Sequence, residues 1–497
     1  MPQPLDSWQL YVDGQWIAGE GGPDREVVNP ATGAAFTRVP EASPMQALAA
    51  VAAARRAQPA WGRRAPIERA RIMKHIAALI RRDAETLVRL VVMEQGKPIL
   101  EARGEVAGAA EFFEFYAEYA RRIQGEILPS DFADEQIWIQ RVPRGVVVGI
   151  IPWNYPAALV SRKVAPALIA GNAIVLKPHE LTPLSALYMA RLFEEAEVPE
   201  GVVNVVTGAG STVGEALCGS SEVDLVTMTG SVPAGRRIMT VAAANLTDVS
   251  LELGGKAPFI VMADADLDLA VRSAVTSRFM NCGQVCICNE RTLVQAPIFD
   301  EFVARFIAET KKLRIGDPMR EDTDIGPKMS EKELEKVEAL VTRAVNDGAQ
   351  VALAGGRPKI PPTPGGYWFA PTVLTHVRPE MEIMQKEIFG PVVPVMAFET
   401  FADAVAISNH SRYGLSAYLF TRDIQQIMRM VRDVDFGEIY VNRVGPESFQ
   451  GFHVGYRQSG VGGDDGMHGL ELYLKKKTVY VNYSDGPTAA LMPYSAR

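Results

Sequence analysis

The sequence predicts an α/β fold with two doubly wound parallel-sheet domains and a small additional sheet. Three observations carry that expectation. From about residue 145 to about 440, short apolar runs alternate with helical segments, the rhythm of parallel strands with helices on both faces. The N-terminal part is Ala-rich with helical periodicity. Two alternating segments, 137–141 and 477–483, have no place in either doubly wound sheet and imply an extra one, which another subunit could complete.

In chain order, residues 43–59 and 66–94 read as helices, with Pro44 and Pro66 near their starts, where a fixed φ and a missing N–H cost nothing. Residues 99–122 form a further helix whose aromatic stripe (Phe112, Phe113, Phe115, Tyr116, Tyr119) suits a core or a pocket wall. Strands are expected at 146–151, 173–176, 202–206 and 225–228, each followed by a helix: 157–170, 183–196, 211–218 and 233–244. The pattern resumes with strands at 257–261, 292–294, 392–395 and 439–441 and helices at 299–313 and 330–347.

The 497 residues allow two or three domains, and 47% hydrophobic with 22% charged residues is ordinary for a globular chain. A formal net charge of -8 argues against nucleic-acid binding, which needs clustered Lys and Arg. Four cysteines do not make a disulfide scaffold, so a reducing, cytoplasmic setting is expected. The start, Met-Pro-Gln-Pro-Leu-Asp-Ser-Trp, has no basic region followed by an apolar run, and no stretch is long and apolar enough for a membrane span.

The densest chemistry lies in Asn281-Cys282-Gly283-Gln284-Val285-Cys286-Ile287-Cys288. One of these sulfurs suits a nucleophile, and a buried cysteine cluster is the competing reading. A zinc site needs a second Cys/His pair, which neither Cys218 nor the histidine spacings supply, so no metal is expected. A nucleophilic thiol needs an oxyanion donor and a base. Asn154, just after the strand 146–151, could supply an amide, or merely cap a turn. Glu252, between Leu251 and Leu253, could be a base with its pKa raised by burial, or half of a buried ion pair. Three loops at strand ends suit a nucleotide: Lys177-Pro178-His179-Glu180, Thr207-Gly208-Ala209-Gly210-Ser211 and Thr229-Gly230-Ser231-Val232-Pro233-Ala234-Gly235.

Taken together, Pro-Trp-Asn-Tyr-Pro, Lys-Pro-His-Glu, Thr-Gly-Ser…Gly, Glu-Leu-Gly-Gly-Lys, Gly-Gln-Val-Cys and Glu387-Ile388-Phe389-Gly390-Pro391 occur in an order and spacing that resembles the NAD(P)-dependent aldehyde dehydrogenase superfamily. The likeness runs from Asn29-Pro30-Ala31-Thr32-Gly33 to the C-terminal strand. It implies the aldehyde dehydrogenase fold, with an NAD-binding domain at 1–122 and 143–254, a catalytic domain at 255–463, and oligomerisation segments at 123–142 and 464–497. It implies that Cys286 attacks an aldehyde, that the Asn154 side chain and the Cys286 N–H form the oxyanion hole, and that Glu252 activates water. Lys163 matches a lysine near a proton path. Lys177 and Glu180 match the residues on the adenosine ribose, Glu387 the carboxylate on the nicotinamide ribose, and Phe389 a ring packed near the nicotinamide. Gly208, Gly230, Ser231 and Gly235 match the pyrophosphate and adenine side. A carboxylate at Glu180 would repel a 2′-phosphate, so NAD is expected over NADP. A homodimer or tetramer is implied.

Within the superfamily, the run around Arg162, the Gly-Gln-Val-Cys-x-Cys stretch and Gln450-Gly451-Phe452-His453-Val454-Gly455-Tyr456-Arg457 are most similar to bacterial lactaldehyde/glycolaldehyde dehydrogenases. The implied substrate is a small hydroxyaldehyde. Ile287 and Val444 stand where that group has hydroxyl-binding residues, which favours the alternative of an apolar or aromatic aldehyde. Arg162 could meet a distal carboxylate, as in a semialdehyde, or serve structure. Phe112, Phe113 and Tyr116 would line the substrate tunnel, and Met467 replaces a Glu tied to proton relay in some relatives. Glu252 argues against a CoA-acylating relative, and the full Asn154, Glu252 and Cys286 set argues against an inactive structural one.

Overall fold

A computed structural model describes residues 8–360 and 365–485, so the first seven residues and the end of the expected 464–497 segment lie outside the described residues. Two large sheets organise them. The first runs in the order Gln15–Ile17, Leu10–Val12, Val203–Val205, Ala173–Lys177, Val146–Ile150, Leu225–Thr229, Asp248–Glu252, Gly460–Val461. Its five central strands are parallel and both edges are antiparallel. The strand order reverses beside Val146–Ile150, so the crevice at the carboxyl ends of Val146–Ile150 and Leu225–Thr229 is a topological switch point, where open α/β sheets take ligands.

The second sheet has the order Gln350–Leu353, Thr372–Thr375, Val392–Phe398, Asn289–Gln295, Ala257–Val261, Ser416–Phe420, Glu438–Val441, antiparallel only at its first edge. Glu252 ends the last parallel strand of the first sheet, and Gly254-Gly255 lead into Ala257–Val261 of the second. Cys286 precedes Asn289–Gln295. The carboxyl edge of one sheet therefore faces the amino edge of the other, and the reactive residues lie between them.

The two unassigned segments pair with each other. Leu474–Asn482 runs antiparallel to Glu135–Pro143 along its whole length, and Glu126–Pro129 completes a three-stranded sheet. The partner of the tail is thus within the same chain. Most of Leu474–Asn482 is exposed, as is Ile127 on the outer strand.

Several helices begin with proline in the first turn, among them Pro44–Arg63, Pro66–Arg82 and Pro156–Ala170. Three differences between sequence and structure bear on how the sheets and helices are joined. The expected helix 66–94 breaks at Asp83, whose backbone leaves the helical region, giving Pro66–Arg82 and Ala84–Gln95. The first helix passes Pro59 and continues to Arg63, because Trp61 is buried and donates its indole N–H to Leu168 O at 3.2 Å. The strand Gly460–Val461, inside the range read as the second domain, joins the first sheet beside Leu251 and Glu252. Among the described residues no helix is long and apolar enough to cross a membrane, and no group of three or more His, Cys, Asp or Glu is arranged to hold a metal ion.

Candidate active site

The turn before Cys286 is unusual. Asn281 (φ 49°), Cys282 (φ 56°) and Gly283 (φ 71°) are successive left-handed residues, a conformation that costs free energy unless the surroundings impose it. They do. Asn281 N donates to Glu101 Oε2 at 2.8 Å, its side-chain amide donates to Asn154 O at 3.0 Å, and its Oδ1 accepts from Gln95 at 3.0 Å. A Cβ on Gly283 would lie 2.4 Å from Gly390 O, so both conformation and space require glycine. The result is a half-buried Cys286 thiol flanked by buried Val285, Ile287, Cys288 and Leu415. Cys282 and Cys288 are buried and their thiols are pushed up to about 12 by desolvation, which leaves Cys286 as the accessible sulfur of the three.

Asn154 follows the strand at the switch point. Its amide nitrogen donates to Gln284 O at 3.0 Å, two residues before Cys286, and retains a second N–H for an oxyanion. The Asn154 carbonyl accepts from Lys97 Nζ at 2.8 Å. Lys97 is fully buried, pairs with Glu105 Oε2 at 2.5 Å and lies 3.5 Å from the centre of the Tyr155 ring. Glu105 Oε1 in turn accepts from the Ala157 and Ala158 N–H groups, the first turn of Pro156–Ala170.

Glu252 is almost fully buried, and neither carboxylate oxygen has a hydrogen-bond partner. Burial raises it to about 8, against the opposing charges of His453 and Lys163. His453 Nε2 is 3.5 Å from Glu252 Oε2, while its Nδ1 is 3.1 Å from Glu438 and 3.8 Å from Glu447. Burial disfavours the imidazolium, but Glu438 and Glu447 outweigh it and hold His453 well above the ordinary histidine range. Burial likewise holds the Cys286 thiol above its ordinary value, with the nearby His453 opposing the shift without outweighing it.

Lys163 donates to Asp464 Oδ2 at 2.6 Å. Arg162 Nε donates to Asp465 Oδ1 at 2.9 Å, and its other end pairs with Glu447. Its guanidinium is therefore committed to two carboxylates of the protein, and it lies over Phe112 at 5.5 Å. Phe112 meets Phe449 edge-on at 4.6 Å. Tyr116 and Phe113 are buried, with Tyr116 packed against Phe115 and Tyr119 and Phe113 against Phe193. Ile287 Cδ1 would stand 2.4 Å from a Cβ at Gly445, the residue after Val444, so the late loop closes directly on Ile287. Val444 is half-buried against the core of the second sheet.

The three strand-end loops gather at the carboxyl edge of the first sheet. Lys177 Nζ donates to Pro178 O and Gly208 O, both at 3.0 Å, and lies 3.8 Å from Glu180. Burial raises the Glu180 carboxyl, but His179 and Lys177 outweigh it and leave it below its ordinary value. Ser231 caps the helix Val232–Ala242 through Ala234 N, with Gly235 in its first turn, and Gly230 N donates to the carbonyl of Glu252 at 2.8 Å. A buried ammonium beside a half-exposed carboxylate matches the donors and acceptors of a ribose diol, and the adjoining helix start suits a phosphate. Farther along, Glu387 accepts from Gly255 N at 2.8 Å and burial raises it to about 7. Phe389 packs edge-on to Trp153 at 5.3 Å. The residues present thus fit a dinucleotide.

Asn154 bonds Gln284 O, two residues before Cys286, and Glu252 ends the strand just before Gly255, where an added Cβ would lie 2.4 Å from Cys286 O. The sequence left His453 without a role, and Lys97, Glu105, Glu438, Glu447 and Glu290 unmentioned. Glu290 accepts from the Ile388 and Phe389 N–H groups at 2.8 and 3.0 Å and pairs with Lys256 and Arg278, so it fixes the Phe389 loop. A histidine in Gln-Gly-Phe-His-Val-Gly is a signal by residue type alone, since an unperturbed imidazole changes charge near neutral pH.

Residues 16–479 match the model of the aldehyde dehydrogenase family. The chain is 46% identical over 479 residues to 3,6-anhydro-alpha-L-galactose dehydrogenase of Vibrio sp. (strain EJY3), covering 96% of this chain and 100% of that one. It is 46% identical over 473 residues to lactaldehyde dehydrogenase of Escherichia coli (strain K12), covering 95% and 98%. A solved structure of 3,6-anhydro-L-galactose dehydrogenase in complex with NAP superposes with a TM-score of 0.94 at 45% identity, covering 96% of this chain and all of that one. With the accessible thiol, the poised amide and the buried carboxylate all between two doubly wound sheets, this chain belongs to the aldehyde dehydrogenase family.

Proposed function

We propose that this enzyme oxidises a small hydroxyaldehyde to its carboxylate with NAD, through a thiohemiacetal and then a thioester on Cys286. The one accessible thiol of its cluster, with the Asn154 amide bonded two residues before it and a buried Glu252 at the adjoining sheet end, supports the reading. The Cys286 sulfur adds to the aldehyde carbon, and the oxygen takes up negative charge. The free N–H of the Asn154 amide and the Cys286 backbone N–H receive that charge. NAD, when bound, supplies the hydride acceptor. Glu252 then takes a proton from water as the water oxygen attacks the thioester carbon, the C–S bond breaks, and the carboxylate leaves.

Lys177 and Glu180 would hold the adenosine ribose, Gly208, Gly230, Ser231 and Gly235 the pyrophosphate side, and Glu387 and Phe389 the nicotinamide end. Glu180 favours NAD, because a 2′-phosphate beside its carboxylate meets like charge.

Two observations support a hydroxyaldehyde. The similar enzymes named above are dehydrogenases of lactaldehyde and of 3,6-anhydro-alpha-L-galactose. Near Cys286 the site also keeps polar groups besides Ile287 and Val444, namely Glu447 and His453, that can meet a hydroxyl. Arg162, already paired with Asp465 and Glu447, is a poor receptor for a distal carboxylate, which counts against a semialdehyde. The second reading, an apolar or aromatic aldehyde, rests on the Ile287 and Val444 wall and the Phe112–Phe449 pair. The deciding experiment is kcat/KM with NAD for glycolaldehyde, lactaldehyde, a semialdehyde, and aliphatic and aromatic aldehydes. A tenfold preference for an unsubstituted aldehyde would overturn the hydroxyaldehyde reading and leave the chemistry in place.

The exposed edge of the three-stranded sheet supports assembly into a homodimer or a tetramer, which light scattering of the purified enzyme would decide.

A further inference from the structure

We infer that Lys328 is a positioning residue for hydride transfer: it fixes the Phe389 peptide, and with it the seat of the nicotinamide, at a set place relative to the Cys286 turn. The inference rests on the function proposed above, in which Phe389 lies at the nicotinamide end and Cys286 carries the substrate carbon.

Lys328 is fully buried. The other buried lysines, Lys97, Lys163, Lys177 and Lys256, each face a carboxylate, at distances from 2.5 to 3.8 Å. Lys328 is the one buried lysine without such a partner among the described residues. Taking an ammonium out of water with no counter-ion is costly, and burial lowers this one to about 8. A methionine or a leucine would fill the place at less cost. What the amine does is donate to the carbonyl oxygen of Phe389, with Nζ 6.0 Å from the centre of the Phe389 ring. Charged or neutral, it keeps an N–H for that bond.

The Phe389 peptide needs holding. Its φ of 54° lies in the left-handed region, which a bulky residue keeps only where its surroundings impose it. Glu290 accepts from the Phe389 N–H at 3.0 Å and Lys328 donates to the carbonyl, so both backbone polar groups of this residue end on buried side chains. A Cβ on Gly390 would lie 3.4 Å from Lys328 Nζ, so no side chain separates the amine from the loop.

The main chain beside Lys328 grips the nucleophile's side. Met329 N donates to Gln284 Oε1 at 2.9 Å, and Gln284 Nε2 donates to Pro327 O at 3.4 Å. Gln284 stands two residues before Cys286, and its own carbonyl accepts from the Asn154 amide at 3.0 Å. Residues 327–329 thus hold the nucleophile turn by their backbone and the nicotinamide loop by one side chain. In the hydride step the C–H bond of the thiohemiacetal carbon breaks, its electron pair leaves as hydride for bound NAD, and the hydroxyl proton departs, so the carbon becomes a thioester. The rate of that step depends on the spacing that Lys328 sets.

The test compares Lys328→Met with the unmodified full-length enzyme. Tm should stay the same or rise, because the change removes a buried charge and strands no other. Calorimetric titration should show NADH bound at least about threefold more weakly, and ADP-ribose, which lacks the nicotinamide, bound as before. The first-turnover rate constant of NADH formation, with saturating NAD and glycolaldehyde or propanal, should fall at least about tenfold. Deuterium on the aldehyde carbon should slow that phase, which marks it as hydride transfer. A rate constant does not depend on the folded fraction, so partial misfolding cannot imitate the effect, and Lys328→Leu replaces a Met variant that fails to fold. Unchanged NADH affinity together with an unchanged rate constant would overturn the inference. So would equal losses of NADH and ADP-ribose binding with a lowered Tm, the mark of a plain packing residue. A selective loss of NADH affinity or a slower hydride step upholds it. If the unmodified enzyme oxidises no aldehyde, the proposed function falls, and the two titrations still decide about Lys328.

Discussion

Lys97 donates a 2.8 Å hydrogen bond to the backbone carbonyl of Asn154, from a fully buried position in which its other partner is Glu105. The ammonium pins the peptide whose side chain is aimed at the Cys286 region. Replacing it with Met leaves the Glu105 charge buried and unpaired, which should cost about 3–5 kcal/mol in a denaturant melt. It should also lower kcat/KM at least about tenfold through loss of aim. Adding Glu105→Gln removes the stranded charge and keeps the acceptor for Ala157 N. Stability should then recover while kcat/KM stays low, a split that a purely structural pair would not give.

Asn154→Ala removes the amide hydrogen bond to Gln284 O and the proposed oxyanion donor together. Loss of one such donor typically costs about 10²–10³-fold in kcat. The expected result is a fall of that size in steady-state NADH formation, with aldehyde KM changed far less.

The pH dependence of hydrolysis follows from Glu252. Its raised pKa of about 8 means that the proton is held until the solution becomes mildly alkaline, and only the unprotonated form can act as base. Where hydrolysis limits turnover, kcat should climb about tenfold per pH unit below that point and level off above it. Glu252→Gln should give a burst of roughly one NADH per subunit followed by a slow steady state, the signature of a stalled acyl-enzyme. A stopped-flow absorbance trace shows either outcome directly.

Cofactor choice has its own handle. Glu180 sits 3.8 Å from Lys177 at the edge of the first sheet. Glu180→Ala should raise kcat/KM with NADP by about tenfold or more and lower it with NAD, because one change removes both the 2′-phosphate repulsion and a ribose acceptor. Higher kcat/KM with NADP than NAD in the unmodified enzyme would refute the assigned preference.

Ile287 fills the space beneath Gly445, so Ile287→Ala should open a cavity between nucleophile and loop. About 2–5 kcal/mol of stability should be lost. The ratio of kcat/KM for a longer aliphatic aldehyde over glycolaldehyde should increase, measured on the same enzyme preparation.

The parallel sheets were legible because buried strands such as Ala173–Lys177 and Ala257–Val261 are continuous apolar runs, and because Pro156 marks a helix start. The short N-terminal strands Leu10–Val12 and Gln15–Ile17 were not, since three residues carry no period. In the site, Cys286, Asn154 and Glu252 stood out because each is a reactive type in a local motif. His453 did not, because what makes it a cation is Glu438 and Glu447, and what makes it matter is Glu252 on a strand of the other sheet. Arg162 shows the converse. Its sequence neighbourhood leaves a substrate role open, and only the fold reveals that Asp465 and Glu447 already occupy it. Pairings between distant segments leave no trace in spacing.

The return of Gly460–Val461 to the first sheet means that the surroundings of Glu252 are complete only when nearly the whole chain is present. That strand pairs with Leu251 and Glu252, and Ser250 contacts Gly463 across a separation of 213 residues. Such distant pairing is closed late in folding. A ribosome must therefore finish the loop carrying His453 and the strand after it before the wall around Glu252 can form, by which time Cys286 has long been made. Until that point the growing chain carries both Cys286 and Glu252 without the strand that closes beside Glu252.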